Sequence, residues 1–108
     1  MKKDFKGKWF ITEMELWDKD FIDLEEKGYF VIGNNNKGEF KFGAVNGQID
    51  YVPEKAGNGE RLEFTWDGTD EMDPVSGRGW IIFKDNGVYG RIFFHLGDNS
   101  WFRAVKAR

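Results

Sequence analysis

Val88-Tyr89-Gly90-Arg91-Ile92-Phe93-Phe94-His95-Leu96 places Val88, Gly90, Ile92, Phe94 and Leu96 on one side of an extended chain, with Tyr89, Arg91, Phe93 and His95 on the other. Successive side chains of a strand point to opposite faces, so this alternation reads as a strand with one apolar face and one amphipathic face. The stretch from Arg61 to Asp67 repeats the split, with Leu62, Phe64 and Trp66 opposite Arg61, Glu63, Thr65 and Asp67. A chain made of such strands needs an arrangement that buries one face of each.

Working outward, β-branched and aromatic runs predict eight strands, at about 8–16, 29–33, 39–45, 48–53, 61–66, 79–84, 88–96 and 100–106. Glycine and asparagine separate them, and Asn46-Gly47 and Asn86-Gly87 in particular predict tight hairpin turns, because a type I′ turn needs two residues with positive φ. Every connection is short enough for antiparallel neighbours, and none holds a full crossover helix. One segment is different: Trp17, Phe21 and Leu24 fall at helical spacing, predicting a short helix at about 18–26. Asp18 or Asp20 would cap it and Lys27-Gly28 would stop it. Packed apolar face down, it could close one end of the fold.

The expected fold is therefore all-β, an eight-stranded antiparallel up-and-down meander closed into a small barrel, one domain over residues 1–108. Closure removes the exposed strand edges that so aromatic a sheet would otherwise present. A two-sheet sandwich is the alternative, since it too needs one inward face per strand.

Composition agrees with a packed core. The 108 residues include 11 Phe, 5 Trp and 3 Tyr, and a chain of this length buries roughly 65% of its unfolded surface. The absence of Cys excludes a disulfide framework, a thiolate metal site and a cysteine nucleophile. Neither a secretory signal nor a transmembrane run is visible, which predicts a cytoplasmic protein with no membrane role. The net charge of −3 argues against nucleic acid as a partner. Phe40, Phe42, Tyr51 and Trp66 beside Lys41 could be taken for a base-stacking face, but Asp50, Glu63 and Asp67 would repel phosphates. Lysines and arginines gather at both termini, and they would form one positive patch if the first and last strands pair.

Gly7-Lys8-Trp9 resembles the Gly-x-Trp of lipocalins and avidins, a likeness that implies barrel architecture with the Trp at a closed end. Met14-Glu15-Leu16-Trp17-Asp18, Asp70-Glu71-Met72-Asp73-Pro74, Gly77-Arg78-Gly79-Trp80 and Gly90-Arg91-Ile92-Phe93-Phe94-His95 with Gly97-Asp98 resemble segments of a set of small uncharacterised bacterial proteins. That likeness implies a free-standing bacterial domain and brings no site residue with it.

Chemistry is sparsely marked. His95, with Asp98 and Ser100 close behind, invites a Ser/His/Asp reading, but the sequence offers no activated nucleophile or oxyanion hole, and the same residues suit a turn. For a hard cation, Asp18-x-Asp20-x-x-Asp23 has Asp where a calcium loop needs Gly, and Asp67, Asp70, Glu71 and Asp73 form a second oxygen-rich group in a loop at 67–77. No metal or cofactor is expected. The amphipathic strand faces are more informative. Turned inward, they would bring Glu13, Glu63, Tyr89, Arg91, Phe93 and His95 together as a polar ligand site with aromatic walls. Turned outward, the same residues would make cross-strand surface pairs. The first strand leaves its orientation open, because Trp9, Ile11, Glu13 and Glu15 share one face while Phe10, Thr12, Met14 and Leu16 share the other.

These features favour non-catalytic binding of a small, partly apolar ligand in the barrel mouth. The alternative is a protein-interaction module with a filled core, possible as a homo-oligomer, and an enzyme ranks third.

Overall fold

The computed structural model describes residues 6–56, 59–84 and 87–107, with the side chains of 55, 56, 59 and 60 left aside. Eight strands follow one another around a closed barrel: β1 (Gly7–Met14), β2 (Tyr29–Ile32), β3 (Lys37–Phe42), β4 (Val45–Ala56), β5 (Gly59–Asp70), β6 (Asp73–Lys84), β7 (Gly87–Phe94) and β8 (Asn99–Lys106). Each pairs antiparallel with the next, and β1 closes the ring on β8. The expected meander is what the chain forms, and the sandwich alternative is not.

The apolar faces point inward. On β7 Val88 and Ile92 are buried, and so are Leu62, Phe64 and Trp66 on β5. Rings pack in a column through the interior, stacked from Phe102 to Phe30 at 4.7 Å and Phe30 to Phe40 at 5.2 Å, then edge to face from Phe40 to Trp66 at 5.0 Å and Trp66 to Phe94 at 5.1 Å. Aromatic pairs at these separations add about 0.5–1.5 kcal/mol each beyond the area they bury. Trp9 packs on Phe83 at the end away from Phe94.

A bulge explains the mixed faces of β1. Ile11 pairs with Ala104 and Glu13 with Arg103, so Thr12 is the extra residue. Inserting one residue reverses the alternation beyond it. Trp9, Ile11 and Met14 are therefore all buried, while Glu13 is turned outward.

The helix, α1 (Lys19–Ile22), is shorter than expected. Asp18 caps it through Phe21 N–H, and Asp23 ends it by spending its carboxylate on Gly28 N–H and on the Lys19 ammonium. Leu24, expected on the buried stripe, is exposed. The helix still plugs one end of the barrel: Ile22 is fully buried, its carbonyl accepts from Gly43 N–H, and Trp17 lies 5.1 Å from Phe42.

Two turns differ from expectation. Asn46 and Gly47 lie inside β4, and the β3–β4 turn is Gly43-Ala44, where Gly43 has φ +59°. Gly47 is there for close approach, since a Cβ would stand 2.4 Å from the Phe40 ring and 3.0 Å from that of Trp66. The stretch read as a loop at 67–77 is the extended end of the β5–β6 hairpin, turned by Glu71-Met72. Gly87 belongs to β7, paired with Lys84, and Asn86 lies outside the described residues. Because β1 and β8 pair, Lys6, Lys8 and Lys106 come together, with Lys106 Nζ donating to the Lys6 carbonyl. Lys2, Lys3 and Arg108 lie outside the described residues.

Candidate functional site

Of the six residues grouped from the sequence, Glu13, Glu63, Tyr89 and Arg91 come together on the outer wall and not around an interior cavity. Strand register sets Glu63 beside Trp80, Trp80 beside Arg91 and Arg91 beside Trp101. The adjacent rung runs Arg61, Ile82, Tyr89, Arg103 and Glu13. Arg61 lies over Trp80 at 5.1 Å and bonds Glu63, while Arg103 lies over Tyr89 and Trp101. Arg91 reaches Asn99 and stands 3.8 Å from Glu15. Cation and ring alternate across four strands, each contact worth about 0.5–1 kcal/mol at an exposed site. Glu13, Glu63, Tyr89 and Arg91 thus serve the wall's cross-strand packing, and Tyr89 also borders an open depression of about 560 Å³ with Arg103 and Val105.

Phe93 and His95 belong elsewhere. They border an open cleft of about 580 Å³ at the rim of the barrel, between the β5–β6 hairpin and the β7–β8 turn. Its other walls are Thr65, Trp66, Ser76, Gly77 and Arg78 on the hairpin side, and Phe94 and Leu96 on the turn side. A second groove of about 390 Å³, reaching Asp67, Gly68 and Pro74, adjoins it and shares Ser76, Phe94 and His95 with it. The rim is held by backbone pairing, since His95 N–H donates to the Ser76 carbonyl at 2.7 Å.

Three features of this cleft stand out chemically. Trp66 is 3% exposed, and its Nε1 is the one buried side-chain polar atom among the described residues without a hydrogen-bond partner. Leaving such a donor unpaired costs about 1–3 kcal/mol. The Arg78 guanidinium stacks 4.1 Å from the Phe93 ring centroid and has no carboxylate partner among the described residues. Leu96 is 94% exposed and holds φ +59°, a conformation bulky side chains rarely adopt. The sequence drew attention to Phe93 and His95 but not to Trp66 or Arg78, because neither an unpaired indole nor an unpaired arginine leaves a mark in periodicity.

The hydrolytic reading does not survive. Ser100 is fully buried, its Oγ accepts from Glu15 N–H and Leu16 N–H and donates to the Trp101 carbonyl, and it faces the interior, while His95 is exposed at the rim. Nor do the acidic residues converge. Asp70 pairs with Asp73 across the hairpin, Glu71 occupies the turn, and Asp67 lies further down β5 beside Ser76. No cluster of three or more potential metal ligands occurs among the described residues. Among the described residues, the two groups with displaced pKa values lie away from the cleft. Burial and the neighbouring Glu39 carboxylate push Tyr29 up to about 12. Burial alone would raise the Asp23 carboxyl, but Gly28 N–H and Lys19 outweigh it and hold it below its ordinary value.

Among the described residues no helix is long and apolar enough to cross a membrane. Comparison with protein-family models, curated proteins and solved structures finds no match to this chain.

Proposed function

We propose that this is a non-catalytic binding protein that takes a small, partly apolar ligand at the rim of its barrel, in the cleft between the β5–β6 hairpin and the β7–β8 turn. The observation that carries the reading is a cleft of about 580 Å³ in which Arg78, without a carboxylate partner among the described residues, stands beside Phe93. Binding pockets combine mostly apolar walls with a few placed polar groups, within roughly 300–1,000 Å³. Phe93, Phe94 and Leu96 supply the apolar part, Arg78, Thr65 and Ser76 the polar part. With aromatic rings occupying the axis, the rim is the part of the barrel mouth left for a ligand.

The test is a thermal-shift screen against metabolites and lipids, read by tryptophan emission. A ligand at 100 times its Kd adds about 2.7 kcal/mol. The reading expects a hit whose effect disappears in Phe93→Ser, a substitution at a half-buried outer position. A hit equally strong in Phe93→Ser, or a silent library, counts against it.

A second reading is an interaction module with a filled core. It is supported by the arginine and aromatic wall of β5 to β8 and by Met72, 90% exposed at the hairpin tip. Co-purification of a partner that is lost on Trp101→Ser would favour it.

A further inference from the structure

Resting on the reading of the rim cleft as a ligand site, we propose that its ligand is a small organic carboxylate with an apolar body, held through the carboxylate by Arg78.

Of the arginines on the outer wall, Arg61 has Glu63 at 2.7 Å and Arg91 has Glu15 at 3.8 Å, while Arg103 lies over Tyr89 and Trp101, away from the cleft. Among the described residues Arg78 meets the Phe93 ring and no carboxylate, and it is the arginine that borders the cleft. A guanidinium stacked on an aromatic face keeps its N–H donors free around its edge, and their planar fork matches the two oxygens of a carboxylate. Stacking also fixes the fork before the ligand arrives, so less entropy is lost on binding. A guanidinium without a carboxylate partner calls for a ligand that brings acceptors. A neutral apolar molecule would bring none, and a cation would meet Arg78.

The body of the ligand is read from the remaining walls. Phe93 offers ring surface beside the guanidinium, and Phe94 and the exposed Leu96 continue the apolar surface along the turn. Asp67 sets the limit on the other side. It sits beside Ser76, one rung beyond Arg78, and borders the adjoining groove. Diagonal neighbours of this kind stand about 7–8 Å apart, close enough for its charge to oppose a simple anion on Arg78. Removing that charge should therefore tighten binding, whereas a zwitterionic ligand with its ammonium on Asp67 would be weakened.

The experiment titrates the protein with phenylacetate, benzoate and 4-methylpentanoate, each against its amide, following backbone and indole resonances. The expected result is that the acids shift residues 76–78 and 93–96 and bind at least about tenfold tighter than the amides, as a charge-assisted fork implies. Arg78→Gln should abolish that preference in a protein whose spectrum stays that of the folded chain, Arg78→Lys should fall between, and Asp67→Asn should tighten the acids. Equal binding of acids and amides, or an acid preference that persists in Arg78→Gln, overturns the carboxylate assignment and leaves the cleft reading standing. Weaker binding of these acids in Asp67→Asn contradicts an anion held on Arg78 within reach of the Asp67 charge and overturns the assignment. If no compound shifts these residues, the cleft reading falls together with the proposal.

Discussion

Gly77 lies against the indole nitrogen of Trp66: a Cβ at that position would stand 2.9 Å from Trp66 Nε1 and 1.7 Å from the Phe93 carbonyl oxygen. Gly77→Ala therefore forces the β6–β7 backbone apart, and the expected cost is at the upper end of the about 1–3 kcal/mol typical of overpacking. Denaturant midpoints check this against Gly97→Ala, whose Cβ would meet its nearest atom at 3.2 Å. Similar midpoints for the two variants would contradict the close packing described.

Barrel closure depends on Ser100. Its Oγ accepts from Glu15 and Leu16 N–H at 3.1 and 3.2 Å, just past the β1 bulge. Ser100→Ala leaves Leu16 N–H without its acceptor, while Glu15 N–H keeps the Trp101 carbonyl at 3.0 Å, and should lower stability by about 1 kcal/mol. Amide exchange is expected to quicken first at residue 16, where the acceptor is lost.

Lys41 is 7% exposed and its ammonium meets Glu25 at 2.7 Å. Removing one partner of a buried pair costs more than replacing the buried charge by an apolar group of similar size. Lys41→Met should thus be better tolerated than Glu25→Gln in thermal melts, with the difference reduced because Glu25 is itself partly in water.

Tyr29 gives the protein a defined alkaline limit. Burial, and then the Glu39 carboxylate that accepts its hydroxyl at 3.1 Å, raise its pKa from 10.0 to about 12. The folded chain holds this proton more tightly than the unfolded chain does. The contribution is fully present below pH 10 and is lost as pH rises towards 12. Tyrosinate absorbance should show a late-titrating group, absent in Tyr29→Phe.

Much of this fold is legible in the sequence. The alternation on β5 and β7, the short connections and the aromatic content point to an antiparallel all-β fold and favour closure over a two-sheet sandwich, and the eight strands occur in the expected order, with β4, β5 and β6 longer than the pattern shows. What fails does so for local physical reasons. Asn46-Gly47 carries the composition of a tight turn, but the glycine is required by the rings of Phe40 and Trp66, which cross where its side chain would be. The mixed faces of β1 come from a bulge at Thr12, and no spacing rule marks which residue is the extra one. The helix stops early because Asp23 prefers Gly28 N–H. The site was less legible: Phe93 and His95 were in view, but Trp66 reads as one more core ring and Arg78 as one more surface charge. Only packing separates the orphaned donor from a satisfied one.

The central claim, that a ligand seats in the rim cleft and not along the barrel axis, is tested most directly by ¹⁵N-tryptophan spectra. The protein would be titrated with a pooled library of small carboxylates, amides and alcohols. The indoles of Trp9, Trp17, Trp66, Trp80 and Trp101 report on the far end, the plug, the cleft wall and the outer face. On binding, the Trp66 indole resonance should move as the cleft it borders fills, with Trp9 and Trp80 unmoved. Movement of Trp9 with Trp66 unchanged would place the ligand at the other end of the barrel and contradict the account.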